Sequence, residues 1–566
     1  MPTSIHANAE IPAKRVAPTS RGSSAYARKR AVIACQVCRS RRTKCDQKKP
    51  ACSFCVSIGA ECVSDPPALS AFDPASVAII ERLDRLQQEF SHFARATTTA
   101  SDPKGDAGYE PPPKNINLDH TSQQQVHHIL KWPIFRNETN PASLRSQSPN
   151  SSVSFKSPSH WPETPKSTDN GVINDETHAL LLDQFFVHVH TRNPILDEVN
   201  TRQISGKVFN RRIGWDLESC LILLVWANGA VGCPLPTLAL SRKDFEQSQG
   251  VTFFYAAQQR LGIAFAHTNI RSAQCFFLAG VFLMSAIRPF DAWRMFCQAL
   301  NICKIAKRTM TYSPDEAGIL ENLFWSSWKS EREVNRELWM PSKHPDFELP
   351  NDFPGLPAIC KEENLKTWYF YLSEISAWRL ETQVAEESTR FALEVSGNLE
   401  DFTRTANGLM EQVSDWQSSL AADVSITDDL EEGDMLRLIL KARALYISEL
   451  ISWPFVYALI HDRKEPTLDC VQKWTSKGLE THLQKLNNHR VQFYHRHAGT
   501  WLMIRSCARS VGILIGASKS PRAEDLMPRN WRRAVEASLE MLLFWKEHDS
   551  TIVDVVDDIY ALYQDL

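Results

Sequence analysis

Long apolar runs are scarce in this 566-residue chain, and the two that invite a membrane reading fall short of the roughly twenty residues that a bilayer crossing needs. Two apolar runs, residues 220–233 and 273–287, are 14 and 15 residues long and read as central helices of a sizeable core. No membrane partner is expected. No secretory signal is visible either, which argues against a disulfide framework. A Gly-rich phosphate loop, a nucleophile elbow and a His-Glu-x-x-His pair are all missing. His188 and His190 stand two apart, so on a helix they would point to different faces. His489, His495 and His497 gather near Tyr494 without a carboxylate motif, and buried or capping roles are expected of them. The chain is not read as an enzyme, and no catalytic residue is assigned.

Net charge is also scarce, at −3, but it is unevenly spread. Residues 1–62 hold twelve Lys and Arg against three acidic residues, and the remainder carries 51 against 63. A basic head on an acidic body suits a nucleic-acid-binding module tethered to a regulatory domain. Eight cysteines (220, 233, 275, 297, 303, 360, 470 and 507) show no C-x2-C spacing and read mostly as small core residues.

What the chain does have is a second group of cysteines. Cys35, Cys38, Cys45, Cys52, Cys55 and Cys62 follow the pattern C-x2-C-x6-C-x6-C-x2-C-x6-C. Thiolates at this spacing favour zinc in tetrahedral geometry. Six ligands cannot close two four-ligand sites unless two of them are shared, so two bridging thiolates and two Zn2+ ions are expected. So short a segment has almost no apolar core, and its folding energy must come from the metal. Between Cys38 and Cys45 lie Arg39, Ser40, Arg41, Arg42, Thr43 and Lys44, four of them cationic and long enough for about two helical turns. Such a helix offers charge to phosphates and a few side chains to base edges.

This pattern resembles the fungal Zn(II)2Cys6 binuclear cluster family of transcription factors. The resemblance implies that Cys35 and Cys52 bridge, that Cys38 and Cys45 complete one zinc, and that Cys55 and Cys62 complete the other. Pro50, two positions before the fourth cysteine, also fits. It further implies that the helix after the second cysteine enters the major groove of double-stranded DNA and reads a CGG triplet. The family's usual lysine contact falls on Arg42 here. Arginine still donates bidentately to guanine O6 and N7. Arg41 is the second candidate for base contact, with Arg39 and Lys44 assigned to phosphate.

The remaining segments follow from composition and period. Residues 1–30 read as a disordered basic tail, with Arg28-Lys29-Arg30 as a nuclear import signal or DNA-contact tail; the nucleus is the expected location. Residues 31–64 form the cluster module and 65–74 a short linker. In 75–96, Ile79, Leu83, Leu86, Phe90 and Phe93 are spaced four, three, four and three, an a/d seam of a short coiled coil. By family resemblance that coil makes a parallel homodimer; a lone amphipathic helix packed on the same chain is the other reading. Residues 97–174 hold ten prolines and read as a disordered Pro/Ser-rich linker. One apolar island interrupts it, Ile129-Leu130-Lys131-Trp132-Pro133-Ile134-Phe135, able to dock on the body or on a partner.

Residues 175–566 show helical apolar spacing and no sustained period-2 alternation. About a dozen helices are expected, giving an all-α class, with residues 423–434 as a dividing loop. The stretches 185–198, 292–308, 322–334 and 495–517 resemble the fungal-specific transcription factor regulatory domain (the middle homology region), itself all-helical. Its expected partners are the transcription machinery or coregulators and a small-molecule effector. The C-terminal stretch DVVDDIYALYQDL reads either as an acidic activation segment or as a terminal helix packed on the body. Together these features imply a sequence-specific RNA polymerase II transcription factor at paired CGG-like triplets, a pathway-specific activator of a secondary-metabolite gene cluster. The alternative is a zinc-cluster protein-interaction or corepressor module that makes no sequence-specific DNA contact.

Overall fold

The computed structural model describes most of residues 35–62, then 125–135, 174–338 except 236, 365–393, 399–427, 433–461, 469–548 and 552–566. The coil residues Ile79, Leu83, Leu86, Phe90 and Phe93, the tail 1–30, and Arg39 and Arg42 lie outside the described residues. The chain divides into two compact units, residues 1–114 and 115–566. Among the described residues there is no strand, and the class is all-α.

In the first unit, Val37 and Cys38 are helical and the Arg41 N–H donates to the Val37 carbonyl at 3.1 Å. Thr43 to Asp46 are not helical. The helical stretch expected between Cys38 and Cys45 therefore does not include Thr43 and Lys44. A second short helix, α1 (Ser53–Ser57), starts from Cys52.

In the second unit the helices are longer. Residues 125–135 carry a single turn, α2 (Val126–Ile129), followed by a 3-10 turn at Pro133–Phe135. Of the two readings of the apolar island, the structure has docking on the body: Ile129, Leu130, Trp132 and Phe135 are buried there. The first half then holds α3 (Asp175–Gln184), α4 (Glu198–Arg211), α5 (Leu217–Val231), α6 (Arg242–Glu246), α7 (Gln249–Gln258), α8 (Leu261–Phe265), α9 (Ile270–Ser285), α10 (Pro289–Thr309) and α11 (Pro314–Leu338). The second half holds α12 (Leu365–Leu393), α13 (Leu399–Ser418), α14 (Met435–His461), α15 (Asp469–His489), α16 (Thr500–Ser518), α17 (Trp531–Lys546) and α18 (Val553–Gln564). The elements outnumber the expected dozen partly because five-residue helices such as α6 and α8 leave too short a period to read.

Local chemistry sets the starts. Asn174, Asp197, Asp216, Ser241, Ser248 and Asn269 each precede a helix and accept an N–H from its first turn. Helices α5, α9 and α16 are apolar nearly all round and are therefore buried. α5 packs on α3, α7 and α9; α10 lies between α9 and α11. α16 touches α2, α9, α11, α15, α17 and α18, so it joins the two halves. The two short apolar runs are thus core helices. A third helix, α14, is long and apolar enough to cross a membrane by length and composition, yet most of it is buried within the body.

The core is not purely apolar. Glu337 on α11 accepts from Arg505 at 3.0 Å and Arg509 at 2.9 Å, both on α16. Glu449 on α14 pairs with Lys485 on α15 and meets Arg509 at 3.1 Å. Arg443 on α14 reaches Glu374 at 3.4 Å and Glu381 at 3.2 Å, both on α12, and also Glu333 on α11. Lys329 pairs with Glu374 and Arg336 with Glu381. Five helices are therefore keyed to one another by charge. A wrong register would strand a buried ion, which is expensive.

Candidate metal centre and nucleic-acid interface

The two C-x2-C pairs are built alike. The Cys38 N–H points at Cys35 Sγ, 3.5 Å away, and the Cys55 N–H at Cys52 Sγ, 3.4 Å away. These N–H groups, ahead of the other influences, pull the Cys35 and Cys52 thiols below the ordinary cysteine value. Their neighbours behave oppositely: desolvation first, then adjacent sulfurs, pushes Cys38 up to about 12 and raises Cys55 as well. Asp46 ties the two halves together by accepting the Ser53 N–H at 2.9 Å and the Ser53 hydroxyl. These bonds hold its carboxyl below the usual range. The sequence had given no sign of this contact, since an aspartate beside a cysteine has no fixed meaning without the fold.

The thiols fall into two sets of four, Cys35, Cys38, Cys45 and Cys52, and Cys35, Cys52, Cys55 and Cys62, each within 4.8 Å of one another. Cys35 and Cys52 belong to both. Cys35 Sγ lies 3.7 Å from Cys52 Sγ and 3.6 Å from Cys55 Sγ, while Cys38 Sγ is 3.6 Å from Cys52 Sγ. A disulfide would need about 2.05 Å. Four sulfurs at about 2.3 Å from a central zinc stand about 3.8 Å apart along a tetrahedral edge. The spacings therefore fit metal coordination and exclude oxidation to cystine in this state. The donor set is all sulfur, which suits zinc.

Of the basic residues, Arg41 and Lys44 are exposed, as is Thr43 between them. Exposed cations at these positions can meet a polyanion.

In the body, His190, His489, His495 and His497 have structural partners. The chain passes from α3 through a π-turn at Phe185–Val189 and a 3-10 turn at His190–Arg192. His190 Nε2 accepts the Leu196 N–H at 3.0 Å, and burial holds the ring down at about 4. His495 Nδ1 lies 3.2 Å from the Thr237 carbonyl, and His497 Nδ1 accepts the Gly499 N–H at 2.9 Å where α16 begins. His489 is buried with Gln492, 3.0 Å away. Cys220, Cys275, Cys303 and Cys507 are buried, and desolvation raises the last three, the third and fourth to about 12. The C-terminal stretch forms α18, whose Val556, Ile559 and Leu562 are buried on the body.

Residues 33–70 match the family described as the fungal Zn(2)-Cys(6) binuclear cluster domain. The cluster binds two zinc ions, and the thiol sets are placed to hold them. A protein named as a transcription factor, ecdB, of Aspergillus rugulosus is 23% identical over 482 residues, 77% of this chain and 80% of that one. The oleate-activated transcription factor 1 of Saccharomyces cerevisiae is 41% identical over 71 residues, 12% of this chain and 7% of its own length. The ABC-transporter-regulating transcription factor of Aspergillus oryzae is 27% identical over 171 residues, 29% of this chain and 19% of its own.

Proposed function

We propose that this chain is a nuclear, DNA-binding transcription factor of the fungal zinc-cluster kind. The observation that carries the reading is the pair of four-thiol sets sharing Cys35 and Cys52, with Arg41 and Lys44 exposed between the second and third cysteines. The resemblance to proteins named as transcription factors supports it, in one case over most of both chains. Zinc supplies the cross-links that a segment without an apolar core lacks. Cys35 and Cys52 would bridge the ions, Cys38 and Cys45 would complete one, and Cys55 and Cys62 the other. Arg42 and Arg41 read the bases of a CGG-like triplet, while Arg39 and Lys44 hold phosphates and set register.

Further proposals rest on sequence and resemblance. The seam at Ile79, Leu83, Leu86, Phe90 and Phe93 pairs two subunits, so the target carries two triplets. The helical body is a middle homology region that receives a signal from a small-molecule effector or a coregulator. The regulated genes form a biosynthetic cluster for a secondary metabolite, and the chain activates them.

The test is selection from random duplex DNA with the zinc-loaded full chain, repeated with Arg42→Ala. Paired CGG-like triplets, lost in the variant, are expected. A single triplet would remove the coil as a dimeriser. No enrichment by a zinc-loaded chain would leave the cluster as a protein-interaction module.

A further inference from the structure

Residues 125–135 lie on the body as a strap, and the body is shaped to receive them. Val126, Ile129, Leu130, Trp132 and Phe135 are buried, while Lys131 and Pro133 face outward. Trp132 enters an aromatic corner at the C-terminal end of α14. Its ring lies 6.1 Å from Trp453, 6.2 Å edge-on from Tyr457 and 4.7 Å edge-on from His461, centroid to centroid. The floor is α16, where Gly512 and Gly516 stand one turn apart. A Cβ on Gly512 would meet Ile129 at 3.1 Å, and one on Gly516 would meet Trp132 at 3.0 Å and Phe135 at 3.2 Å. The two glycines form a notch that fits the strap and little else. Gln125 Nε2 donates to the Arg336 carbonyl at 3.0 Å.

The seam is imperfect. Gln125 Oε1 and His461 Nε2 are buried there without a hydrogen-bond partner among the described residues. Eleven residues are ordered to bury five large apolar side chains, so the entropic cost and the apolar gain are of the same order. The strap also continues no helix of the body. It is joined to the cluster module through residues 63–124 and to α3 through 136–173, so it can leave without breaking any body helix.

We propose that the groove between α14 and α16 is a peptide-docking surface whose resident occupant is the chain's own residues 125–135, held as a displaceable clasp. Its partner chemistry is an amphipathic segment with aliphatic residues one turn apart, then tryptophan and phenylalanine three apart. The clasp fastens the stretch leading to the cluster module onto the body. An external segment of the same pattern takes its place by competition. None of this depends on which DNA sequence the cluster module reads.

The experiment has two parts. A fluorescent peptide of residues 123–137 is titrated into the full chain and followed by anisotropy. The wild-type chain binds it weakly, because the tethered strap competes at an effective concentration on the order of millimolar. Trp132→Ala, with its own clasp loosened, binds at least about tenfold tighter. Gly516→Leu, with the notch filled, binds it no better than a scrambled peptide. If Trp132→Ala binds no tighter than wild type, or loses its cooperative unfolding transition, the segment is permanent core and the proposal is overturned. The second part uses wild-type protein alone. The amides of Leu130 and Trp132 should exchange hydrogen at least about a hundredfold faster than those of Ile513 and Leu514 on α16. Equal protection would overturn the clasp in the same way.

Discussion

Replacing Glu449 by glutamine keeps the shape of the core and removes one charge. The Glu449 side chain is fully buried, Lys485 is 2% exposed and Arg509 is 6% exposed. After the change Arg509 still has Glu337, but Lys485 has no anion. Burial first, and then the positive charge of Arg509, already hold Lys485 below the ordinary lysine value even with Glu449 beside it. Stranding a buried cation costs about 3–5 kcal/mol. A ceiling comes from the alternative of shedding the proton: neutralising a lysine of pKa about 10.4 at pH 7 costs about 4.6 kcal/mol. The upper part of that range passes the ceiling, so Lys485 in Glu449→Gln is expected to shed its proton, the more so as pH rises above 7.

That outcome has a pH signature. In the variant the unfolded chain binds a proton at Lys485 that the folded chain does not, so its stability rises with pH between the folded value and about 10.4. The penalty should shrink by about 1.4 kcal/mol for each unit from pH 7 to 9. Urea unfolding followed by tryptophan fluorescence, at both pH values, measures it. Adding Lys485→Met should recover most of the loss, because no ion is then stranded. A penalty below about 1 kcal/mol that ignores pH, and is not relieved by the second change, would refute this account of the core.

Other expectations are simpler. In the wild type, burial would raise Glu449, but Lys485 and Arg509 overcome it and hold the carboxyl at about 2; its contribution is present above the unfolded value near 4.5 and is lost as pH falls toward 2, visible in acid unfolding. Gly229→Ala places a Cβ 2.1 Å from the Leu181 backbone carbonyl, so α3 must move and about 1–3 kcal/mol should be lost in thermal unfolding. Gly280→Ala comes nearest to the Phe296 ring, at 2.4 Å, and should cost less because a ring can turn. Lys44→Ala should lower the slope of log affinity against log salt by about 0.9 without changing the preferred DNA sequence.

The cysteine pattern was fully legible, because a metal site of this kind is local: its ligands span fewer than thirty residues and their spacing is their function. The helical class was legible too, since period survives wherever a helix buries one face. What each face meets was not. The island around Trp132 stood out as apolar, yet its partners Trp453, Tyr457, His461 and Gly516 lie more than three hundred residues away. Likewise nothing in the sequence links Glu337, Glu449 and Arg509, and only the crossing of α11, α14 and α16 makes them partners. The C-terminal acidic stretch illustrates the converse. Its composition allowed two readings, and the burial of Val556, Ile559 and Leu562 places its apolar side in the core.

The sharing of Cys35 and Cys52 changes how the chain responds to scarcity. Because the two thiol sets have Cys35 and Cys52 in common, residues that held one ion would also place two of the four thiols of the other set, and a second ion would then meet a half-built cage at a lower ordering cost. Under limiting metal the molecules should sort into empty and doubly filled, with few singly filled between them. A falling zinc supply then thins the number of competent molecules and leaves the quality of each survivor intact. Gene control built on such a switch dims by counting heads.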